Sequence, residues 1–177
     1  MQARARIVLL ALVFAASYGC DRLTKSLAIS QLKPTPPSSF LNDSFRLQYT
    51  ENPGSFLSLG AGLPEGVRGW LLIGALGCFL LGLLAFVAFS GQLRLPAVVG
   101  CALILGGGLG NWTDRVLYGN VVVDFMNVGL GPVRSGVFNV ADLWIEAGAV
   151  LLLVGALRGR KREPRAGIAE DRRANGP

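Results

Sequence analysis

GWLLIGALGCFLLGLLAFVAFSGQ, from Gly69 to Gln92, contains no Asp, Glu, Lys or Arg. A helix needs about 20 mainly apolar residues to cross a bilayer, and this stretch meets that length without interruption. Leu95 to Thr113 is a second uncharged run, bracketed by Arg94 and Asp114. Ile7 to about Ile29 is apolar until Asp21, Arg22 and Lys25 near its end, and Val137 to Leu157 is apolar except for Asp142 and Glu146 near its start. Composition agrees with four spans. Of 177 residues 51% are hydrophobic and only 16% are charged, too little charge to cover the surface of a small soluble domain.

The expected fold is therefore a membrane all-α protein of four transmembrane helices. Lys and Arg total 17 against 11 Asp and Glu, a net charge of +6. These cations sit at span ends and in the tail, as membrane flanks rather than a nucleic-acid surface, so no nucleic-acid partner is expected. Arg4 and Arg6, Arg94, and the group Arg158, Arg160, Lys161, Arg162 and Arg165 all fall on one side of a four-span chain, which predicts both termini in the cytoplasm. Residues 1–158 read as a single integral domain, and 159–177 as a basic tail expected to be disordered.

The two longer outer connections carry β signals. Phe45, Leu47 and Tyr49 alternate with Arg46, Gln48 and Thr50, the period of a half-buried strand, and Val121-Val122-Val123 is β-branched. A small sheet on the outer membrane surface fits both. Ser17-Tyr18-Gly19-Cys20 looks like a lipoprotein leader, but the usual Leu three residues before the Cys is missing and three more spans follow. Cys20 is read as a small packing residue.

The chain has no His and three Cys without C-x-x-C spacing, which excludes Ser-His-Asp and Cys-His catalysis and His-ligated metal. No cofactor or metal is expected. Carboxylate, hydroxyl, Lys or Tyr chemistry remains, and the carboxylates at a membrane edge are functional candidates. Each has a plainer reading. Asp21 and Lys25 are spaced as an i,i+4 ion pair. Asn139-x-x-Asp142 has the spacing of a helix cap. Asp114-Arg115 reads as a helix-end pair at the membrane surface, Asp124 as a loop acid, and Glu146, one turn deeper than Asp142, as neutral or paired with an Arg.

Taken together, four separated motifs resemble the lipoprotein signal peptidase (signal peptidase II) family. Asp21-Arg22-Leu23-Thr24-Lys25 matches its D-x-x-T-K, Gly110-Asn111-Trp112-Thr113-Asp114-Arg115 its G-N-x-x-D-R, Val122-Val123-Asp124-Phe125 its V-x-D-F, and Phe138-Asn139-Val140-Ala141-Asp142 its F-N-x-A-D. The first outer loop departs from the family's Asn-x-Gly-Ala-Ala-Phe. It reads Asn52-Pro53-Gly54-Ser55-Phe56, one residue short, with Asn52 and Gly54 kept. Glu146 stands where an uncharged residue is expected.

The resemblance implies an aspartic endopeptidase of the bacterial inner membrane, with its site near the outer face. Asp124 and Asp142 would form the water-activating dyad. Asn52, Gly54, Gly107, Asn111, Arg115, Asn139 and Ala141 would support it, with Asp21 and Lys25 as a structural pair. The implied substrate is a diacylglyceryl-modified prolipoprotein, cut just before its lipidated Cys with its lipid tails left in the bilayer; membrane lipids and globomycin-type inhibitors are the other implied partners. Two other readings use the same carboxylates. One is a small transporter or proton conductor relaying through Asp21, Asp142 and Glu146; the other is a scaffold whose acids only cap helices.

Overall fold

Each of the four apolar stretches forms one long helix. In the computed structural model, which describes residues 3–54, 64–91 and 93–160, these are α1 (Ala3–Leu27), α2 (Glu65–Phe89), α3 (Leu95–Leu117) and α4 (Val140–Arg160). All four are long and apolar enough to cross a membrane. A π-helical turn, Ala28–Leu32, extends α1 beyond its expected end. The fourth helix starts at Val140 rather than Val137, because Phe138 is held in a β-bridge and Asn139 caps the helix. It also runs through Arg160, past the expected domain end at 158. The rest of the expected disordered tail, from 161, and the Ser55-Phe56 part of the first outer loop lie outside the described residues.

The third helix is the hub. Among the described residues α1, α2 and α4 each pack on α3, while α2 touches neither α1 nor α4. Three consecutive glycines explain how one helix accepts three neighbours. Successive residues turn by about 100° around a helix, so adjacent positions face different directions. A Cβ on Gly106 would meet Ser17 of α1, one on Gly107 the carbonyl oxygen of Ala141 in α4 at 2.5 Å, and one on Gly108 the Leu80 side chain of α2 at 2.6 Å. Without hydrophobic force between lipid-embedded helices, such close backbone approach and van der Waals contact hold the bundle together. Much of the remaining surface is apolar, including Leu12, Leu81, Phe86 and Leu153, as lipid-facing surface requires. Cys20 lies on that exposed surface of α1 rather than packed within the bundle.

Between helices the chain forms one antiparallel sheet in the order β1-β2-β3-β4, with β1 Ser38–Phe40, β2 Phe45–Asn52, β3 Val122–Leu130 and β4 Val133–Arg134. The alternating 45–50 segment and the valine run are its two central strands, as their patterns predict. The outer strands, of three and two residues, are too short to show a periodicity. Leu41, Asn42 and Asp43 all have positive φ in the tight β1–β2 turn, and Asp43 fastens that turn by accepting from Arg46 Nε (2.6 Å). That hydrogen bond is the main reason its carboxyl stays well below the usual carboxylate range. The buried face of β3 packs Val123 and Phe125 on Ala28 at the end of α1, seating the sheet on one end of the bundle. At the other end Arg6 donates to the carbonyl of Ser90 (2.8 Å), tying the start of α1 to the α2–α3 turn.

The glycine hub makes a direct test available. Gly107→Ala, whose methyl must displace the Ala141 carbonyl, should destabilise the protein by about 1–3 kcal/mol. Gly74→Ala in α2, which meets nothing within 4 Å, should leave the midpoint unchanged or raise it slightly in the same thermal unfolding measurement.

Candidate active site

Four elements converge where the sheet meets the helix ends. Asp124 sits on β3, with Thr50 of β2 directly opposite and Asn52 opposite Val122. Alternation puts Val122 and Asp124 on one face, so Asn52 is the diagonal neighbour of Asp124 and its Nδ2 donates to Asp124 Oδ2 at 2.8 Å. On the other side of β3, Met126 and Phe138 pair as a β-bridge, with Phe138 N donating to Met126 O at 2.8 Å. That bridge brings Asn139 and the first turn of α4 against Asp124.

Asn139, fully buried, touches both aspartates. Its Nδ2 donates to Asp124 Oδ1 at 2.6 Å. Its backbone N–H donates to Asp142 Oδ2 at 3.1 Å, and its Oδ1 accepts from the backbone N–H of Asp142 at 3.1 Å. The last two bonds are a reciprocal capping box, here with Asn at the cap and Asp three residues on. The capping reading of Asn139-x-x-Asp142 is therefore realised, and the cap itself aims Asp142. The other oxygen, Asp142 Oδ1, accepts from Asn111 Nδ2 at 2.9 Å.

The orientation of Asn111 is set from the far side. Lys25, fully buried, donates to Asn111 Oδ1 at 2.8 Å, and Asn139 Nδ2 lies 3.1 Å from the same oxygen. With its oxygen claimed by an ammonium group, the Asn111 amide can present only its NH2 to Asp142. Lys25 also lies 3.0 Å from Asp21 Oδ2 and 2.9 Å from Asp114 Oδ2. The i,i+4 pair is formed, and it belongs to a larger cluster. Asp114 is fully buried and pairs with Lys25 and Arg22, so it is not the surface partner of Arg115. It also accepts the Val123 N–H at 3.1 Å, one residue before Asp124. Asp21 Oδ1 accepts the Ala141 N–H at 3.0 Å, one residue before Asp142.

Arg115 turns to backbone carbonyls, donating to Asn120 O at 2.9 Å and Gly54 O at 2.8 Å. Gly54 N donates in turn to Asn52 Oδ1 at 2.9 Å, which orients the Asn52 amide toward Asp124. Gly107 and Ala141 are the contact that lets α4 approach α3 closely enough for these bonds. Arg22 and Asp114 are the members of the buried cluster that sequence reasoning did not place in it. A signal was there: Arg22 and Lys25 bring two cations to a span end with one acid, Asp21, so a second buried anion is required. Glu146 is exposed, and none of the ion pairs among the described residues reaches it.

Chemically, the centre holds two carboxylates, each accepting hydrogen bonds on both oxygens, with the Asn111 amide fixed by the buried Lys25 and the Asn52 amide by the Gly54 N–H. Asp124, outside the spans, has its carboxyl pushed up to about 6. Burial is the largest cause, partly opposed by the Asn52 and Asn139 hydrogen bonds and reinforced by the charge of Asp142. Among the described residues no group of side chains is arranged to hold a metal ion.

Four membrane-length helices with a carboxylate–amide centre at one end define a multi-pass membrane protein. The family described as signal peptidase (SPase) II matches residues 13–158. The lipoprotein signal peptidase of Rhodococcus jostii (strain RHA1) is 37% identical over 162 residues, covering 87% of this chain and 75% of its own length. That of Sphingopyxis alaskensis is 37% identical over 160 residues, covering 88% and 89%. Two solved structures titled as bacterial membrane enzymes share the fold. The one at 2.3 Å resolution has a TM-score of 0.77 at 22% identity, covering 92% of this chain and 95% of that one; the one at 1.9 Å has a TM-score of 0.74 at 24% identity, covering 85% and 94%. The chain belongs to the signal peptidase II family and is a membrane-spanning protease.

Removing Lys25 should show what the ion cluster holds. Lys25→Met leaves Asp21 and Asp114 buried without their shared cation, a loss of about 3–5 kcal/mol. Thermal unfolding in lipid should show a large drop, or the protein should fail to accumulate, whereas Lys33→Met, removing an exposed pair with Glu51, should change little.

Proposed function

We propose that this protein removes signal peptides from bacterial prolipoproteins by an aspartic mechanism, cutting just before the diacylglyceryl-modified Cys. The observation that carries this reading is Asn139, which hydrogen-bonds Asp124 and Asp142 together and so builds a carboxylate pair at one end of a membrane bundle. Family membership and curated relatives named lipoprotein signal peptidase support the substrate class.

In this mechanism Asp124 carries the proton and Asp142 is ionised. The raised pKa of Asp124 supports that division, since two close carboxylates share one proton. Asp142 takes a proton from water as its oxygen attacks the scissile carbonyl carbon. Asp124 gives its proton to the carbonyl oxygen, which yields a neutral tetrahedral diol. When the C–N bond breaks, Asp142 returns its proton to the leaving amine of the Cys, and a diol hydroxyl restores the proton to Asp124. Asn52, Asn111 and Asn139 hold the two side chains in register, and positioning of this kind contributes as much as acidity. Arg115, through Gly54 and Asn120, fixes the loop that carries Asn52. Basic residues at the span ends support both termini in the cytoplasm, with the dyad at the outer face of the bacterial inner membrane. Substrate lipid tails stay in the bilayer, and globomycin-type inhibitors act at the dyad.

Purified protein in lipid, given a prolipoprotein with and without its diacylglyceryl group, tests this directly. Cleavage only of the lipidated form, reduced by about 100-fold or more in both Asp124→Asn and Asp142→Asn, is the expected result. Full activity in either variant would overturn the dyad.

The pH profile follows from the sign of the Asp124 shift. A raised pKa keeps the acid neutral up to about 6, and its proton is lost as pH rises through that value. The value of kcat/KM should therefore fall on the alkaline side with an apparent pKa at or above about 6, which belongs to the pair. A flat profile from about pH 4 to pH 9 would exclude a neutral Asp124 as the acid.

A further inference from the structure

The acid–base mechanism leaves one carboxyl group of α4 without a task. Glu146 lies four residues after Asp142, about 6 Å deeper along the helix. It is exposed, unlike the buried acids of the ion cluster, and among the described residues it has no ion-pair partner. The packing of α4 shows where it faces. The line facing α3 runs through Ala141 and Ile145, which meet Gly107, and Gly148, which meets Gly100 and Ile104. At about 100° per residue, Asp142 and Glu146 fall together on one flank of α4, opposite Trp144. Around α3, Gly107 faces α4 and the next residue, Gly108, faces α2, so α4 and α2 are neighbours around the hub. Among the described residues α2 and α4 nevertheless make no close backbone approach. Asp142 reaches Asn111, which lies about 40° round α3 from Gly107 toward the face of Gly108, so the flank of α4 that carries Asp142 and, one turn further in, Glu146 is the one on the α2 side.

We propose that Glu146 binds the substrate backbone, accepting hydrogen bonds from the signal-peptide N–H groups about two residues before the scissile bond. This rests on the aspartic reading above. A peptide bond is attacked only when its carbonyl is presented free of a helix. Unwinding a signal helix there frees N–H groups at a depth where no water can satisfy them. An extended chain advances about 3.3 Å per residue, so the 6 Å from Asp142 to Glu146 spans about two residues. The signal peptide lies on the deeper side of the cut, which is the side Glu146 occupies. A carboxyl group there supplies two acceptor oxygens and no other residue of α4's apolar interior supplies any from its side chain. Binding through the backbone serves many signal sequences, since every non-Pro residue carries the same donor.

The test uses the full chain in lipid vesicles with a diacylglyceryl prolipoprotein, comparing wild type, Glu146→Leu, Glu146→Gln and Asp142→Asn. Glu146→Leu makes the span more apolar, so membrane insertion is not impaired. It should raise KM about tenfold with kcat changed much less. Glu146→Gln, which keeps one acceptor oxygen, should recover most of that loss. A substrate N-methylated at the amide two residues before the cut should lose activity with wild type and lose little more with Glu146→Leu, the coupling expected if the two groups touch. An unchanged KM for Glu146→Leu, or equal N-methyl effects in wild type and Glu146→Leu, overturns the role of Glu146 while Asp142→Asn remains inactive. If Asp142→Asn cuts normally, the dyad fails instead, whatever the Glu146 variants do.

Discussion

One ammonium group, that of Lys25, sets the arrangement on which the rest of the site depends. It is fully buried among Asp21, Asp114 and the Asn111 amide oxygen. Buried charges persist only when paired and hydrogen-bonded, so this cation holds α1 and α3 in one relative position. Each anion also accepts a backbone N–H beside Asp142 or Asp124: Asp21 through its other oxygen from Ala141, and Asp114 through the same Oδ2 from Val123. Through those two bonds, and through the Asn111 amide it polarises, Lys25 governs Asp142 and Asp124 without touching either.

Such a centre needs rigid surroundings, and two features of the backbone provide them. The glycines at 106, 107 and 108 let three helices reach the same level of α3, which puts residues from α1, α3 and α4 within hydrogen-bond distance of each other. The Met126–Phe138 bridge then clamps the sheet to the start of α4. Asp124 comes from a strand and Asp142 from a helix, and Asn139, standing between those two elements, serves both.

Much of this was legible in advance because the bilayer imposes simple rules. Length and the absence of charge locate spans, and the alternation at 45–50 locates a strand. The two short edge strands carry no period to read. Asp114 shows another limit of local patterns. Next to Arg115 in sequence it looks like half of a surface pair, but neighbouring residues on a helix point about 100° apart, and in the bundle they serve different partners. Asn139 and Asp142 had a correct plain reading as a cap, and only the position of Asp124 shows that the cap also joins two acids.

Four membrane-length helices, the exclusion of His-based chemistry and the motifs that point to signal peptidase II can all be read from the chain alone. These depend on composition, period and local spacing. Tertiary contacts settle which acids join the Lys25 cluster, which acids Asn139 brings together and how the amides are oriented. Those properties depend on distances between residues up to 120 positions apart, such as Asp21 and Ala141. Close helix packing creates those distances, and no local pattern in the chain records them.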